Sequence, residues 1–143
     1  MAAVMNPYLN YNGNAEEAFN FYKKVFGTEF KMVQRFKDVP GGDKVSAEDQ
    51  NKIMHISLPI GNDNYLMASD SLESMGQKLH EGNNFYISIE ADSKEEAKKL
   101  FDGLSSGGKI EMPMEDTFWG AYFGSFKDKF GIQWMISHTY PKN

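Results

Sequence analysis

Hydrophobic and polar positions follow two matching series of segments along the chain. In the first half, residues 7–12, 28–36, 52–60 and 65–69 have the alternation that is typical of strands. Residues 61–64 predict a turn, so the last two strands form a hairpin. Between the first two strands, apolar side chains recur at helical spacing, and Gly27 predicts the end of that helix: Ala15, Ala18, Phe19, Tyr22, Val25 and Phe26.

The second half repeats this order. Residues 85–91, 109–114, 119–126 and 132–138 predict strands, and one apolar stripe predicts a second helix that ends before Gly107 and Gly108: Ala97, Leu100, Phe101 and Leu104. Both helices are expected to begin with a capping box, Asn14 with Glu17 and Ser93 with Glu96. The halves also share Glu-Glu-Ala after each cap and Met-x-Ser in their final strands, which indicates an internal duplication.

The predicted fold class is therefore α+β, with two βαβββ modules forming a curved mixed sheet around a central cavity. We expect residues 1–143 to form a single domain, with module one at 6–70, a linker at 71–83 and module two at 84–139. Residues 37–51 are polar and lack a periodic pattern. A loop of that length is typical of a lid, a binding loop or a disordered excursion.

Composition narrows the classes of function. The chain has 143 residues, of which 41% are hydrophobic, with a net charge of −5. The negative charge argues against a nucleic-acid partner. There is no cysteine, so disulfides and thiolate metal sites are excluded. The first residues lack a signal-peptide pattern, and no apolar run reaches the roughly 18 residues of a membrane span. These features predict a cytoplasmic protein without a membrane partner.

Two sequence strings have non-functional explanations. Residues 103–109 fit the spacing of a phosphate-binding loop, but they follow a helix, and Ile110 stands where that loop requires Ser or Thr. The three carboxylates Glu111, Glu115 and Asp116 are interpreted as a solvated face. Neither string predicts catalysis.

Strand alternation selects a set of candidate ligand-binding residues. It places His55 and Ser57 on the strand face opposite Met54, Ile56 and Leu58. The same reasoning on the other strands extends the predicted cavity wall to one set of polar and aromatic side chains: Tyr11, His55, Ser57, Ser69, Tyr86, Ser88 and Gln133. The alternatives are that the face is simply open to solvent, and that His55 is a structural residue bonded to backbone.

Trp119 is a further candidate for ligand binding. Gly120 and Gly124 follow it and remove side chains from a predicted strand, which would let a ligand or a partner subunit approach the backbone. Tight packing in the core or at a dimer seam explains the pattern equally well.

The element order and several motifs resemble the vicinal oxygen chelate superfamily, and within it the PhnB-like branch. That superfamily includes glyoxalase I, extradiol dioxygenases and bleomycin-resistance proteins. The resemblance rests on stretches that span nearly the whole chain: residues 7–9, 13–18, 21–22, 26–27, His55, 66–70, 119–120 and 130–134. It implies paired βαβββ modules, a dimer, and a cavity in each half-open barrel.

The resemblance also implies positions for metal ligands. The superfamily's enzymes hold a divalent metal through His, Gln or Glu on the first and last strands of each module. The corresponding positions here are Pro7, Met67 or Ser69, a position near Asn84, and Met135. Proline and methionine are not ligands for hard cations. We therefore expect neither a metal nor another cofactor.

Two functions from different classes follow. The first is a small-molecule-binding protein of the glyoxalase/bleomycin-resistance fold without the catalytic metal, acting as a homodimer. The second is an enzyme, lyase-like or isomerase-like, that acts on a small metabolite. It would use His55 as acid or base with a tyrosine or Glu90 as its partner, or a metal bound in some altered way. A pure interaction module, with a filled interior, is the third alternative.

Overall fold

The computed structural model describes residues 3–142. They form two compact units, residues 3–80 and 81–142. In the first unit the elements are β1 (Tyr8–Tyr11), α1 (Ala15–Phe26), β2 (Met32–Arg35), β3 (Ile53–Pro59) and β4 (Tyr65–Asp70). In the second they are β5 (Ile87–Glu90), α2 (Lys94–Ser105), β6 (Lys109–Asp116), β7 (Ala121–Lys127) and β8 (Gln133–Thr139). The class is α+β, as predicted.

Each unit contains a four-stranded mixed sheet with the same topology. The strand orders are β1-β4-β3-β2 and β5-β8-β7-β6, with the first strand of each unit parallel to its last. The registers also correspond, because Ser57 pairs with Met32 and Met67, and Ser125 pairs with Met112 and Met135. The predicted order and duplication of the elements are therefore confirmed at the level of individual strand pairs.

Helix α1 packs against β3 and β4. It buries the predicted stripe as far as Tyr22, whereas Val25 and Phe26 in its last turn are only half-buried. Phe19 and Tyr22 are fully buried, as are Ile56 and Leu58 on β3, one of the two strands that α1 packs against. Burial of each large apolar side chain contributes about 1.5–3 kcal/mol. This packing fixes which face of the first sheet is covered and which is free of helix.

The start of α1 differs from the expected capping box. Asn14 is the N-cap residue but makes no side-chain capping bond. The backbone N–H groups of Gly13 and Ala15 instead donate to Asp70 Oδ1, at 3.1 and 2.9 Å. A buried carboxylate from β4 satisfies helix-end donors more strongly than a neutral amide on the surface can.

Helix α2 follows its prediction more closely. Ser93 Oγ accepts a hydrogen bond from the Glu96 backbone N–H at 3.1 Å, and the whole predicted stripe is buried. A Cβ built on Gly124 would lie 2.8 Å from Phe101 Cε2 and 2.7 Å from Met114 Sδ. The space beside Gly124 is thus filled by the chain's own side chains, so this glycine does not admit a ligand or a partner.

The 37–51 segment is an ordered loop. It contains the short 3-10 turns Phe36–Asp38 and Gly42–Lys44. The Phe36 N–H donates to the Lys52 carbonyl and the Lys37 N–H donates to the Gln50 carbonyl, at 3.1 and 3.0 Å, which closes the neck of the loop. The segment is therefore held by hydrogen bonds at its base, and a role as a lid or as a binding loop stays a hypothesis.

Two local predictions about the strands were wrong. A register shift opposite Gln34 and Arg35 interrupts the alternation of β3, and Ile53 is buried with Ile56 while Met54 is only half-buried. Trp119 was expected in a strand, but β7 begins at Ala121. Among residues 3–142, no helix is long and apolar enough to cross a membrane.

Candidate functional site

The face of the first sheet opposite α1, here called the first helix-free face, is defined by strand register. Tyr8 pairs with Met67, Met67 with Ser57, and Ser57 with Met32. One step along the sheet, Asn10 pairs with Ser69, and Gln34 with His55. Paired residues share a face, so two rows of side chains cross all four strands.

Three of these side chains form a hydrogen-bonded cluster, here called the Tyr8–His55–Ser69 cluster. The Tyr8 hydroxyl lies 3.3 Å from His55 Nδ1 and is also hydrogen-bonded to Ser69 Oγ. Ser69 Oγ donates to the Met54 carbonyl oxygen at 2.8 Å. The rings of Tyr8 and His55 stack, with centroids 5.8 Å apart and planes at 30°. The cluster joins β1, β3 and β4.

The number of polar hydrogens on each side chain determines the direction of the hydrogen bonds in this cluster. Ser69 has one hydroxyl hydrogen and uses it on the Met54 carbonyl, so it accepts from Tyr8. Tyr8 has then used its own hydrogen and accepts from His55 Nδ1–H. The hydrogen bonds therefore run from His55 through Tyr8 to Ser69, and they favour the tautomer with hydrogen on Nδ1. The lone pair of His55 Nε2 is left to accept from a ligand.

The rows beside the cluster combine apolar and neutral polar side chains, and Lys31 Nζ lies 5.4 Å from the ring centroid of Tyr65, two residues from Met67 in β4. Ser57 is only 6% exposed and lies between two methionines in its row. Tyr8 is 47% exposed at the end of that row. A polarisable apolar surface beside a few oriented polar groups is typical of small-molecule sites.

Tyr11 is a correction to the predicted wall. It is 3% exposed, its hydroxyl donates to the Tyr22 hydroxyl at 3.1 Å, and its ring meets Phe19 edge-on at 6.2 Å. Tyr11 therefore lies under α1, on the other side of the sheet from His55. The predicted residues that the first unit brings to one face are His55, Ser57 and Ser69.

Tyr8 was missed by sequence reasoning. In β1 exposed and buried positions alternate, so Tyr8 and Asn10 share the face opposite Leu9 and Tyr11. The sequence did contain a signal: Leu9 is apolar, which indicates that Leu9 and every second residue from it face the helix. Tyr11 obscured this signal, because a tyrosine at either position suits a cavity wall.

The predicted residues of the second unit lie in different settings. The Tyr86 hydroxyl donates to Glu111 Oε1 at 2.8 Å, and this hydrogen bond, with a smaller contribution from burial, raises the Tyr86 pKa. Gln133 is 5% exposed and its amide donates to the Phe85 carbonyl at 2.6 Å. Ser88 is exposed and pairs with Met135. Trp119 is 54% exposed. That these residues and the first helix-free face together line one cavity stays a prediction.

The residues present do not fit a divalent-metal centre of the kind that the superfamily's enzymes use. The Tyr8–His55–Ser69 cluster has one imidazole and two neutral hydroxyls, which is too weak a donor set for a labile divalent ion. Throughout residues 3–142, no three His, Asp or Glu side chains lie close enough together to hold a metal. No step of a mechanism is therefore assigned to a metal.

Comparison with known proteins identifies the class. Residues 5–136 match the Glyoxalase/Bleomycin resistance protein/Dioxygenase superfamily. The chain belongs to this superfamily, and its two four-stranded sheets with two helices are the fold expected of it.

Individual similar proteins support membership of this superfamily. Protein YjdN of Escherichia coli K12 is 33% identical over 141 residues, covering 93% of both chains. Protein PA1353 of Pseudomonas aeruginosa has a similar structure, with a TM-score of 0.84, 38% identity, and coverage of 96% of this chain and 98% of that one. A third similar structure, from Bacillus cereus, is described as "Putative 3-demethylubiquinone-9 3-methyltransferase, PhnB protein". Its TM-score is 0.76 and its sequence is 23% identical, over 96% of this chain and all of that one. At that identity the similarity supports the PhnB-like fold alone.

Proposed function

We propose that this protein binds a small, partly aromatic, polar molecule on the first helix-free face, without a divalent metal. The observation that supports this most directly is the directed Tyr8–His55–Ser69 cluster, which presents an oriented acceptor beside exposed aromatic surface. Polar groups fixed before binding reduce the entropic cost of holding a ligand. The rows of methionine and serine beside the cluster supply the apolar contact.

The test is a thermal-shift screen of small aromatic and heteroaromatic compounds, repeated on three variants. Tyr8→Phe removes the central hydroxyl and His55→Gln removes the imidazole. Tyr122→Phe, in β7 of the second unit, is the control for loss of a tyrosine hydroxyl. Compounds that stabilise the wild type and Tyr122→Phe should bind Tyr8→Phe and His55→Gln about tenfold more weakly, which is the value of one lost hydrogen bond. Equal binding to all four proteins would refute the proposal.

A second candidate function is supported by the same hydrogen-bond direction. With hydrogen on Nδ1, His55 Nε2 is a potential general base, and the Tyr8 hydroxyl would stabilise the imidazolium by accepting from Nδ1. This arrangement suits proton abstraction from a small metabolite in a lyase or isomerase reaction. Binding and catalysis separate in His55→Gln, because a saturating concentration of compound overcomes its weaker binding, whereas an amide cannot take a proton. Turnover lost at saturation would favour the enzyme.

A further inference from the structure

The second unit exposes an aromatic group where β7 begins. Phe118 is 97% exposed and Trp119 is 54% exposed. Their rings meet edge-on with centroids 5.0 Å apart, and Trp119 meets Phe123 in the same way at 5.8 Å. Contiguous exposed rings of this size mark binding surfaces, because each ring held in water costs hydrophobic free energy.

Strand register places carboxylates on both sides of this aromatic group. Phe123 pairs with Glu115 on β6 and with Ser137 on β8, and Ser137 pairs with Glu90 on β5. The four residues form one row across the face opposite α2. With strands about 4.8 Å apart, Glu115 is one strand from Phe123 and Glu90 is two strands away on the other side.

The Glu90 carboxylate is oriented by the fold. Its two oxygens accept hydrogen bonds from the Thr139 backbone N–H at 2.7 Å and from the Thr139 hydroxyl at 3.1 Å. Each oxygen keeps a lone pair for another donor. The nearest lysine on the same face of β7 is Lys127, four residues beyond Phe123 and thus roughly 13 Å away along the strand. Lys94 stacks on the ring of Tyr122, which points to the opposite face of β7 from Phe123.

We propose that this row binds an organic cation, a primary or quaternary ammonium group. Aromatic faces attract cations through their quadrupole, and carboxylates on either side add Coulombic attraction. The duplication provides an internal comparison, because the first unit has His55 and Asn10 at the register positions of Phe123 and Glu90. The acidic aromatic row is therefore peculiar to the second unit, and none of its four residues belongs to the Tyr8–His55–Ser69 cluster.

The test uses choline as the probe and 3,3-dimethyl-1-butanol as its uncharged isostere. The chain has two tryptophans. Trp134 is fully buried with its indole N–H donating to Asp128, so it serves as an internal reference for Trp119. The NMR signal of the Trp119 indole N–H should shift saturably with choline, while the Trp134 signal stays in place. The alcohol should produce no saturable shift.

Variants separate this site from alternatives. Glu115→Gln should weaken choline binding about two- to fivefold, and Phe123→Leu should weaken it by a similar factor. Glu48→Gln removes the same charge from an exposed loop position of the first unit and should have no effect. His55→Gln should also leave choline binding unchanged, whatever its effect on the first helix-free face. Equal shifts with choline and its isostere, or no effect of Glu115→Gln, would overturn the proposal.

Discussion

Asp70 is a buried carboxylate whose removal should cost more stability than any single surface change in the first unit. It is 3% exposed and accepts three backbone hydrogen bonds. Two come from Gly13 and Ala15 at the start of α1, and the third comes from Ile53 at 2.8 Å. One side chain therefore fixes β4 to the start of α1 and to the first residue of β3.

The magnitude follows from an Asp70→Asn substitution of equal size. The amide oxygen can keep the two bonds of Oδ1, but the amide nitrogen then faces the Ile53 N–H, which loses its acceptor. A buried unsatisfied donor costs about 1–3 kcal/mol, and the two remaining bonds lose their charge-assisted strength. We expect a destabilisation of about 2–4 kcal/mol.

Urea denaturation measures this difference. With a denaturant slope of about 2 kcal/mol/M, the middle of the usual range for urea, the midpoint should fall by roughly 1–2 M. Asp63→Asn, in the exposed turn before β4, is the control and should shift the midpoint very little. Hydrogen exchange of the Ile53 amide should accelerate in Asp70→Asn. A loss below about 0.5 kcal/mol, with Ile53 still protected, would refute this account of the capping.

Three further predictions concern other features. The Glu16 pKa is lowered, chiefly by its hydrogen bond from Arg35, so the pair stabilises the fold at neutral pH and this stabilisation is lost as the pH falls through that lowered pKa. Wild type should therefore lose more stability than Glu16→Gln between about pH 5 and pH 3, by less than about 1 kcal/mol in urea titrations. A Cβ on Gly42 would lie 2.1 Å from the Phe36 carbonyl oxygen, whereas one on Gly61 has nothing nearer than 3.8 Å. Gly42→Ala should thus cost about 1–3 kcal/mol and Gly61→Ala almost nothing, as read from thermal midpoints. The predicted homodimer should sediment at twice the monomer mass of 16.2 kDa, and a monomer at micromolar concentration would contradict it.

The element order could be predicted from the sequence because it depends on local periodicity. The stripe of α2 and its Ser93 cap are determined within a dozen consecutive residues, and both were found in the structure. The duplication was visible for the same reason, since matching motifs recur after matching elements. Long, strongly periodic segments need no knowledge of distant contacts.

The candidate site was only partly predictable because it depends on contacts distant in sequence. His55 and Ser69 were selected by alternation. Which face of β1 is covered depends on whether Tyr8 or Tyr11 packs under α1, and this is determined by contacts with the helix. The register shift in β3 likewise depends on its partner strand. The capping role of Asp70 links residues more than fifty positions apart, so no local motif could show it.

The most direct test of the proposed site is the tautomer of His55, read from the nitrogen NMR shifts of its imidazole. Measurement at about pH 8, where an ordinary imidazole is neutral, avoids ambiguity from protonation. Of the three histidines, His80 is exposed and serves as the reference. We predict hydrogen on Nδ1 of His55, a bare Nε2, and a change in the Nε2 shift when a stabilising compound from the screen is added. Hydrogen on Nε2, or an imidazole that does not respond to such a compound, would contradict the account.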